Sequence, residues 1–140
     1  MAVQLAFYVG DKTIVDKLIC MRTQSDTSHV EIVIDGYKYS AYPGIGVRKD
    51  IFTNDPGLWR IYDLPEVNPN DVLSFFEQTK GRAYDWLGVL IGQFFYVKVD
   101  DPKKFFCSEW CASAIGFPQP CRFSPALLEI VIQNTKLKIE

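Results

Sequence analysis

The chain has 140 residues, of which 48% are apolar and 23% are charged, and its formal net charge at neutral pH is −2. This length and composition predict one globular domain, residues 1–140, that is large enough to bury an apolar core. The slight excess of negative charge disfavours nucleic acids and other polyanions as partners.

No segment of the sequence has the pattern of a membrane span. The longest apolar stretch runs from Trp86 to Val97 and is interrupted by Gln93, whereas a spanning helix needs about 20 apolar residues. Residues 1–9 lack the charged start and the long apolar run of an export signal, and they predict a strand instead. We therefore expect a cytoplasmic protein with no stable membrane insertion, in which the four cysteines are reduced thiols.

The first half of the chain is rich in strand patterns. Residues 13–22 are the exception, because apolar residues there recur at helical spacing after Thr13, a helix cap. Asp35-Gly36 is the two-residue signature of a tight turn, and it predicts a hairpin between the segments on either side. The predicted strands cover residues 1–9, 28–34, 37–42, 47–48 and 58–62.

The second half of the chain predicts mainly helices. Asn68 is the expected cap of a helix that begins with Pro69 and ends at Gly81. Further helix starts are predicted at Asp85, Cys107 and Ser124-Pro125. Together these patterns predict an α+β fold, in which an antiparallel sheet of about four or five strands packs against about four or five helices.

Cys107 lies at the start of one of these helices. No Ser, Thr, Asp or Asn stands just before it as a cap, so the first backbone N–H groups can face the sulfur or a ligand. Such groups, with the helix dipole, stabilise a thiolate and make a cysteine nucleophilic. The structural alternative is a small core residue, because free cysteines are among the most buried residue types. Further along, Trp110 and Cys111 share one helix face, and Glu109 is expected to point away from it.

His29 is the only histidine in the chain and therefore the only histidine available as a base. The period of a strand places Glu31 on the same face as His29. Val30, Ile32 and Ile34 lie on the opposite face, where we expect them to fill a core. A cysteine, a histidine and a carboxylate together supply a nucleophile, a base and a group that orients the base. The structural alternatives are a hydrogen-bonded histidine and a solvent-facing glutamate.

Ser40 is the other candidate for the orienting group. The register of a two-residue hairpin places Ser40 opposite Glu31, and Tyr42 opposite the histidine. Ser40 is thus nearer to the glutamate than to His29. A carboxylate also stabilises an imidazolium better than a hydroxyl does, because it carries the opposite charge. We therefore expect Glu31, and failing it Ser40, to hold the imidazole tautomer.

The sequence gives no support for a cofactor. A zinc site could use Cys107, Cys111, Cys121 and His29, because cysteines at i and i+4 of a helix can bind one metal. Structural zinc sites, however, use two C-x₂₋₄-C pairs, and this sequence does not have two. Neither a G-x-G-x-x-G segment nor a P-loop is present, so no nucleotide cofactor is indicated. We expect neither a metal nor an organic cofactor.

Five short motifs resemble those of one protein family. In chain order they are Ser28-His29-Val30-Glu31, Ser40-Ala41 followed by Gly46-Val47, Gly81-Arg82-Ala83-Tyr84-Asp85-Trp86-Leu87-Gly88, Phe106-Cys107-Ser108-Glu109, and Ser124-Pro125-Ala126 followed by Leu128. This set resembles the circularly permuted branch of the NlpC/P60 papain-like superfamily, and the resemblance runs from about residue 5 to residue 130. In ordinary members the cysteine helix precedes the histidine strand, whereas here the histidine comes first.

The resemblance implies a papain-like thiol hydrolase or peptidase that cleaves an amide or ester bond through an acyl-enzyme. Cys107 matches the nucleophile and His29 the base. Many permuted relatives place a glutamate on the strand after the histidine strand, where this chain has Ser40. The His-Val-Glu sequence of this chain, which ends in Glu31, resembles that of phage and bacterial members.

The resemblance also bears on substrate and setting. It implies cell-wall peptides or acylated lipids as substrates, and the cytoplasm of a bacterium or of a phage-infected host as the location. Two other classes share the same motifs. One is a papain-like scaffold that binds or modulates a host partner, and the other is an acyltransferase that uses an acceptor other than water.

Overall fold

The computed structural model describes residues 1–9, 29–42, 45–84, 104–105, 107–118, 120 and 123–139. The helix predicted over residues 13–22 and the helix expected from Asp85 onward lie outside these residues, as do Cys20 and Cys121. Over the described part of the chain the fold is α+β, as the sequence predicts.

Five strands form an antiparallel sheet. They are β1 (Val3–Tyr8), β2 (His29–Ile34), β3 (Tyr37–Tyr42), β4 (Gly46–Ile51) and β5 (Trp59–Asp63). Their order in the sheet is β4-β3-β2-β1-β5, so the histidine strand β2 lies at the centre. Two short strands, β6 (Ala83–Tyr84) and β7 (Lys104–Phe105), form a separate parallel pair.

The predicted hairpin between β2 and β3 is confirmed. Asp35 and Gly36 have φ angles of 51° and 79°, the left-handed conformation that a tight two-residue hairpin turn requires at both positions. Glycine adopts this conformation without strain, and aspartate tolerates it better than most residues. The pairs that follow the turn are Ile34 with Tyr37, Val33 with Lys38, and Ile32 with Tyr39, which is the register predicted from the sequence.

Three helices occur among the described residues: α1 (Pro69–Thr79), α2 (Cys107–Ala114) and α3 (Pro125–Ile139). Asn68 caps α1 as predicted, since its side-chain oxygen accepts a hydrogen bond from the backbone N–H of Asn70 at 2.9 Å. Ser124 caps α3 in the same way, because its hydroxyl accepts from the backbone N–H of Leu127 at 3.1 Å. None of the three helices is long and apolar enough to cross a membrane.

The core lies between the sheet and the helices. Val30, Ile32 and Ile34 are each no more than 2% exposed, which confirms the predicted aliphatic face of β2. Leu5 and Phe7 of β1 pair with two of them and are fully buried. Burial of such side chains stabilises the fold by about 1.5–3 kcal/mol each.

α2 is the helix that organises this core. It packs against β2 and β3 and also contacts α1 and α3. Trp110 is fully buried, and its indole N–H donates to the Thr79 hydroxyl of α1 at 2.9 Å. Glu109, which was expected to point away from the packed face, is only 3% exposed. That expectation is wrong because α2 is enclosed by the sheet and by two other helices, which bury all of its residues except Ser113.

The hydrogen bond between α2 and α1 can be tested at Thr79. We expect Thr79→Val to destabilise the fold by about 1–3 kcal/mol, because it leaves a buried indole N–H without its acceptor. The measurement is the free energy of unfolding from urea denaturation.

Thr135→Val is the matched control. The hydroxyls of Thr79 and Thr135 both donate to the backbone carbonyl four residues earlier, at 2.8 Å and 2.9 Å. Thr135 is exposed, however, and receives no hydrogen bond from an indole in the described part of the chain. We expect the Thr135 variant to change stability by less than about 0.5 kcal/mol. Equal losses in the two variants would contradict a role for the Trp110 contact.

Candidate active site

Cys107 and His29 each begin an element, Cys107 at the start of α2 and His29 at the start of β2. α2 packs against β2 and β3. His29 and Cys107, although far apart in sequence, interact there through charge and a side-chain hydrogen bond. Cys107 is a free thiol with 2% exposure, and the His29 side chain is 15% exposed. The site is therefore mostly desolvated.

Glu31 binds the imidazole directly. The distance between His29 Nε2 and Glu31 Oε1 is 3.0 Å, and the glutamate is 1% exposed. The two side chains share a strand face, as the period of β2 predicts. This contact engages Nε2 and leaves Nδ1 as the ring nitrogen that can serve the Cys107 thiol.

The surroundings of His29 favour its protonated form. Burial of the ring opposes protonation, but the charge and hydrogen bonding of Cys107, followed by those of Glu31, raise the pKa of His29 from 6.5 to about 10. At neutral pH the ring is then an imidazolium. A cationic ring beside a cysteine sulfur is the arrangement that supports a thiolate nucleophile.

Glu31 is held as a carboxylate by several partners. Burial would raise the pKa of Glu31, but the hydrogen bond and charge of His29 lower it, and Tyr42 and Lys38 act in the same direction. Lys38 Nζ lies 3.6 Å from Oε1. The net effect is a pKa below the ordinary value, so the group that orients the histidine carries a negative charge at neutral pH.

Tyr42, which the sequence placed opposite His29, has a role as partner of Glu31 that the sequence reasoning did not identify. Its hydroxyl donates to Glu31 Oε1 at 2.6 Å, the same oxygen that contacts His29. Its ring centroid lies 5.2 Å from that of the imidazole. Burial and the neighbouring Glu31 raise the pKa of Tyr42 above its usual range, so the phenol keeps its proton and remains a donor. The hairpin register predicted from the sequence places Tyr42 opposite His29, and this was the signal that could have indicated its role.

Ser40 makes different contacts. Its hydroxyl donates to the backbone carbonyl of Val30 at 2.8 Å and lies 3.9 Å from the sulfur of Cys111. Burial, followed by the nearby Cys107, raises the pKa of the Cys111 thiol well above its ordinary value. Cys111 is thus a buried neutral thiol, as expected for a core residue, and Ser40 supports the backbone of the histidine strand.

A cavity lies in another part of the described structure. A cavity of about 510 Å³ opens between α1, the end of α2 and α3, and its lining includes Val67, Phe75 and Ile132. Cavities of this size often hold ligands. Neither Cys107 nor His29 belongs to the described lining of this cavity.

The described residues contain no group of three or more His, Cys, Asp or Glu side chains that could hold a metal ion. Cys121, a member of the zinc set considered from the sequence, lies outside these residues. The chemistry considered below uses the thiol, the imidazole and the carboxylate.

The role of Glu31 can be measured through the pKa of His29, which NMR can follow without ambiguity because the chain has one histidine. In wild type we expect a pKa well above 6.5. Glu31→Gln should lower it, since the variant removes a negative charge that stabilises the imidazolium. Ser40→Ala should leave the pKa nearly unchanged. A larger drop for Ser40→Ala than for Glu31→Gln would reverse the assignment of the orienting residue.

Comparison with known proteins adds no relative: no family model and no curated protein matches this chain. The resemblance to permuted NlpC/P60 proteins therefore depends on the motifs in the sequence. The contacts among Cys107, His29 and Glu31 are an independent structural observation.

Proposed function

We propose that this protein is a cysteine hydrolase that cleaves an amide or ester bond through an acyl-enzyme at Cys107. The observation that carries the proposal is a pair of contacts made by His29. It interacts with Cys107 on one side, and on the other its Nε2 lies 3.0 Å from Oε1 of the buried Glu31. The motifs that resemble permuted NlpC/P60 proteins support the same function.

In the first step the sulfur of Cys107 attacks the substrate carbonyl carbon. A carbon–sulfur bond forms, and the carbonyl electron pair moves to oxygen as an oxyanion. Backbone N–H groups at the start of α2 are suited to stabilise this charge, since the first turn of a helix leaves such groups without intrahelical partners. His29 then donates its proton to the leaving nitrogen or oxygen, and the thioester remains.

In the second step a water molecule attacks the thioester. The now neutral His29 accepts a proton from the water, the carbon–sulfur bond breaks, and the acid product leaves. The imidazolium forms again beside Cys107. Glu31 keeps the ring in the tautomer that both steps require and stabilises its positive charge.

The most direct test is capture of the acyl-enzyme. We expect the protein to react with p-nitrophenyl acetate, releasing nitrophenol and gaining one acetyl group that peptide mapping places on Cys107. Hydroxylamine should remove the group, because it cleaves thioesters. Cys107→Ala should gain none, and Cys111→Ala is the control that should react like wild type. Acetylation that is equal in the Cys107→Ala variant would refute the proposal.

A second test concerns the histidine. We expect iodoacetamide to label Cys107 faster than Cys111, whose thiol is buried and neutral. His29→Ala should slow labelling of Cys107 at neutral pH by about 10-fold or more, because the thiolate loses its cationic neighbour.

The other cysteines provide the internal control for this test. Labelling rates at Cys20 and Cys121 in the same samples should be the same in wild type and in the His29 variant. A Cys107 rate and pH profile that match wild type after His29→Ala would show that the imidazole does not activate the thiol. Circular dichroism of the variant confirms that it is folded.

A further inference from the structure

Three cationic groups surround one aromatic ring at the candidate site. The guanidinium carbon of Arg48 lies 4.3 Å from the centroid of the Tyr42 ring, and Lys38 Nζ lies 5.5 Å from it. The ring of His29, which is protonated at neutral pH, lies 5.2 Å away. Two further cationic side chains thus lie close to His29, the residue that interacts with Cys107.

The negative charges nearby are placed differently. Glu31 is 1% exposed and already forms ion pairs with both His29 and Lys38, so its negative charge is buried and partly neutralised. Asp50 lies 3.2 Å from Arg48 Nη1 and is about half exposed, which leaves this pair well screened by solvent. The side chains of Lys38 and Arg48 are 21% and 35% exposed. Solvent therefore reaches the cations of this cluster but hardly reaches Glu31.

Arg48 also has unused hydrogen-bonding capacity. Its Nε–H is buried and has no acceptor among the described residues. Buried donors normally have partners, so an orphaned one indicates a place where a ligand or an ordered water completes the site. A guanidinium that lies over an aromatic ring keeps its in-plane N–H groups for a planar or tetrahedral oxyanion, which it can bind through two hydrogen bonds.

From these observations we propose that Lys38 and Arg48 form an anion-binding subsite beside His29, the histidine that interacts with Cys107. The preferred substrates would then carry a carboxylate or phosphate group close to the bond that is cleaved. This proposal rests on the proposed function, because it assigns a substrate class to the same site. Binding of the anion would fix the acyl group in position for attack, and the cations would speed its arrival.

The subsite can be tested with two reagents that differ only in charge. Iodoacetate and iodoacetamide both alkylate a thiolate by displacing iodide, but iodoacetate carries a carboxylate. The measured quantity is the rate of Cys107 alkylation by iodoacetate divided by the rate by iodoacetamide. This ratio is then divided by the same ratio for a small free thiol in the same buffer. We expect this ratio to exceed one in wild type by several-fold and to fall as salt rises from 0.05 to 0.5 M, because salt screens exposed charges.

The variants identify the cations responsible. Lys38→Gln and Arg48→Gln should each lower the ratio by about 3- to 10-fold. Arg48→Lys keeps the charge but loses the planar pair of donors, so it should retain only part of the preference. Lys49→Gln is the matched control, since Lys49 neighbours Arg48 on β4 but lies over the rings of Tyr37 and Tyr39 instead. Its ratio should equal that of wild type.

Two anions distinguish the possible ligand groups. N-acetylglutamate and glycerol 3-phosphate are added separately during labelling by iodoacetamide. Protection of Cys107 by the first indicates a carboxylate ligand, and protection by the second indicates a phosphate ligand. In either case the Lys38→Gln/Arg48→Gln double variant should lose the protection. Protection by neither compound would overturn the subsite.

The outcomes separate this proposal from the proposed function. A ratio near one in wild type, or the same ratio in all variants, overturns the subsite while fast labelling by iodoacetamide still supports a nucleophilic Cys107. Failure of both reagents to label Cys107 faster than Cys111 counts against the hydrolase itself. Because each ratio compares two reagents on one variant, a general change in thiol reactivity cancels.

Discussion

The candidate site depends on one buried carboxylate oxygen. Glu31 Oε1 accepts from the Tyr42 hydroxyl at 2.6 Å, contacts His29 Nε2 at 3.0 Å and lies 3.6 Å from Lys38 Nζ. An unpaired buried carboxylate would cost several kcal/mol, so these partners are what allow the charge to exist in the sheet. Together with the larger effect of Cys107, the same charge favours the protonated form of His29, and the hydrogen bond fixes the direction of its ring.

The other requirement is a rigid position for Cys107. α2 is enclosed by β2, β3, α1 and α3, and its Trp110 is tied to Thr79 of α1 by a buried hydrogen bond. A helix held in this way cannot shift without disrupting the core, because side chains there are closely packed. The start of α2, and with it the sulfur, is therefore fixed relative to the histidine strand.

Much of this arrangement was predictable from local patterns. The Asp35-Gly36 turn fixed the β2–β3 register, and the period of the strand placed Glu31 beside His29. Asn68 and Ser124 marked two helix starts. Glu109 was misassigned, and Tyr42 was not recognised as a partner of the carboxylate. Both errors concern burial, which depends on elements that are distant in sequence and is not visible in the spacing of residues along one helix or strand.

The sequence by itself determined which residues could act: one histidine, a glutamate two positions along the same strand, and a cysteine at a helix start. These are consequences of chain geometry over a few residues. Only the tertiary structure decided that Cys107 meets His29, that Tyr42 and Lys38 converge on Glu31, and that Arg48 lies over the Tyr42 ring. Protonation of the histidine follows from this packing, because its pKa depends on how far water is excluded and on which charges remain close.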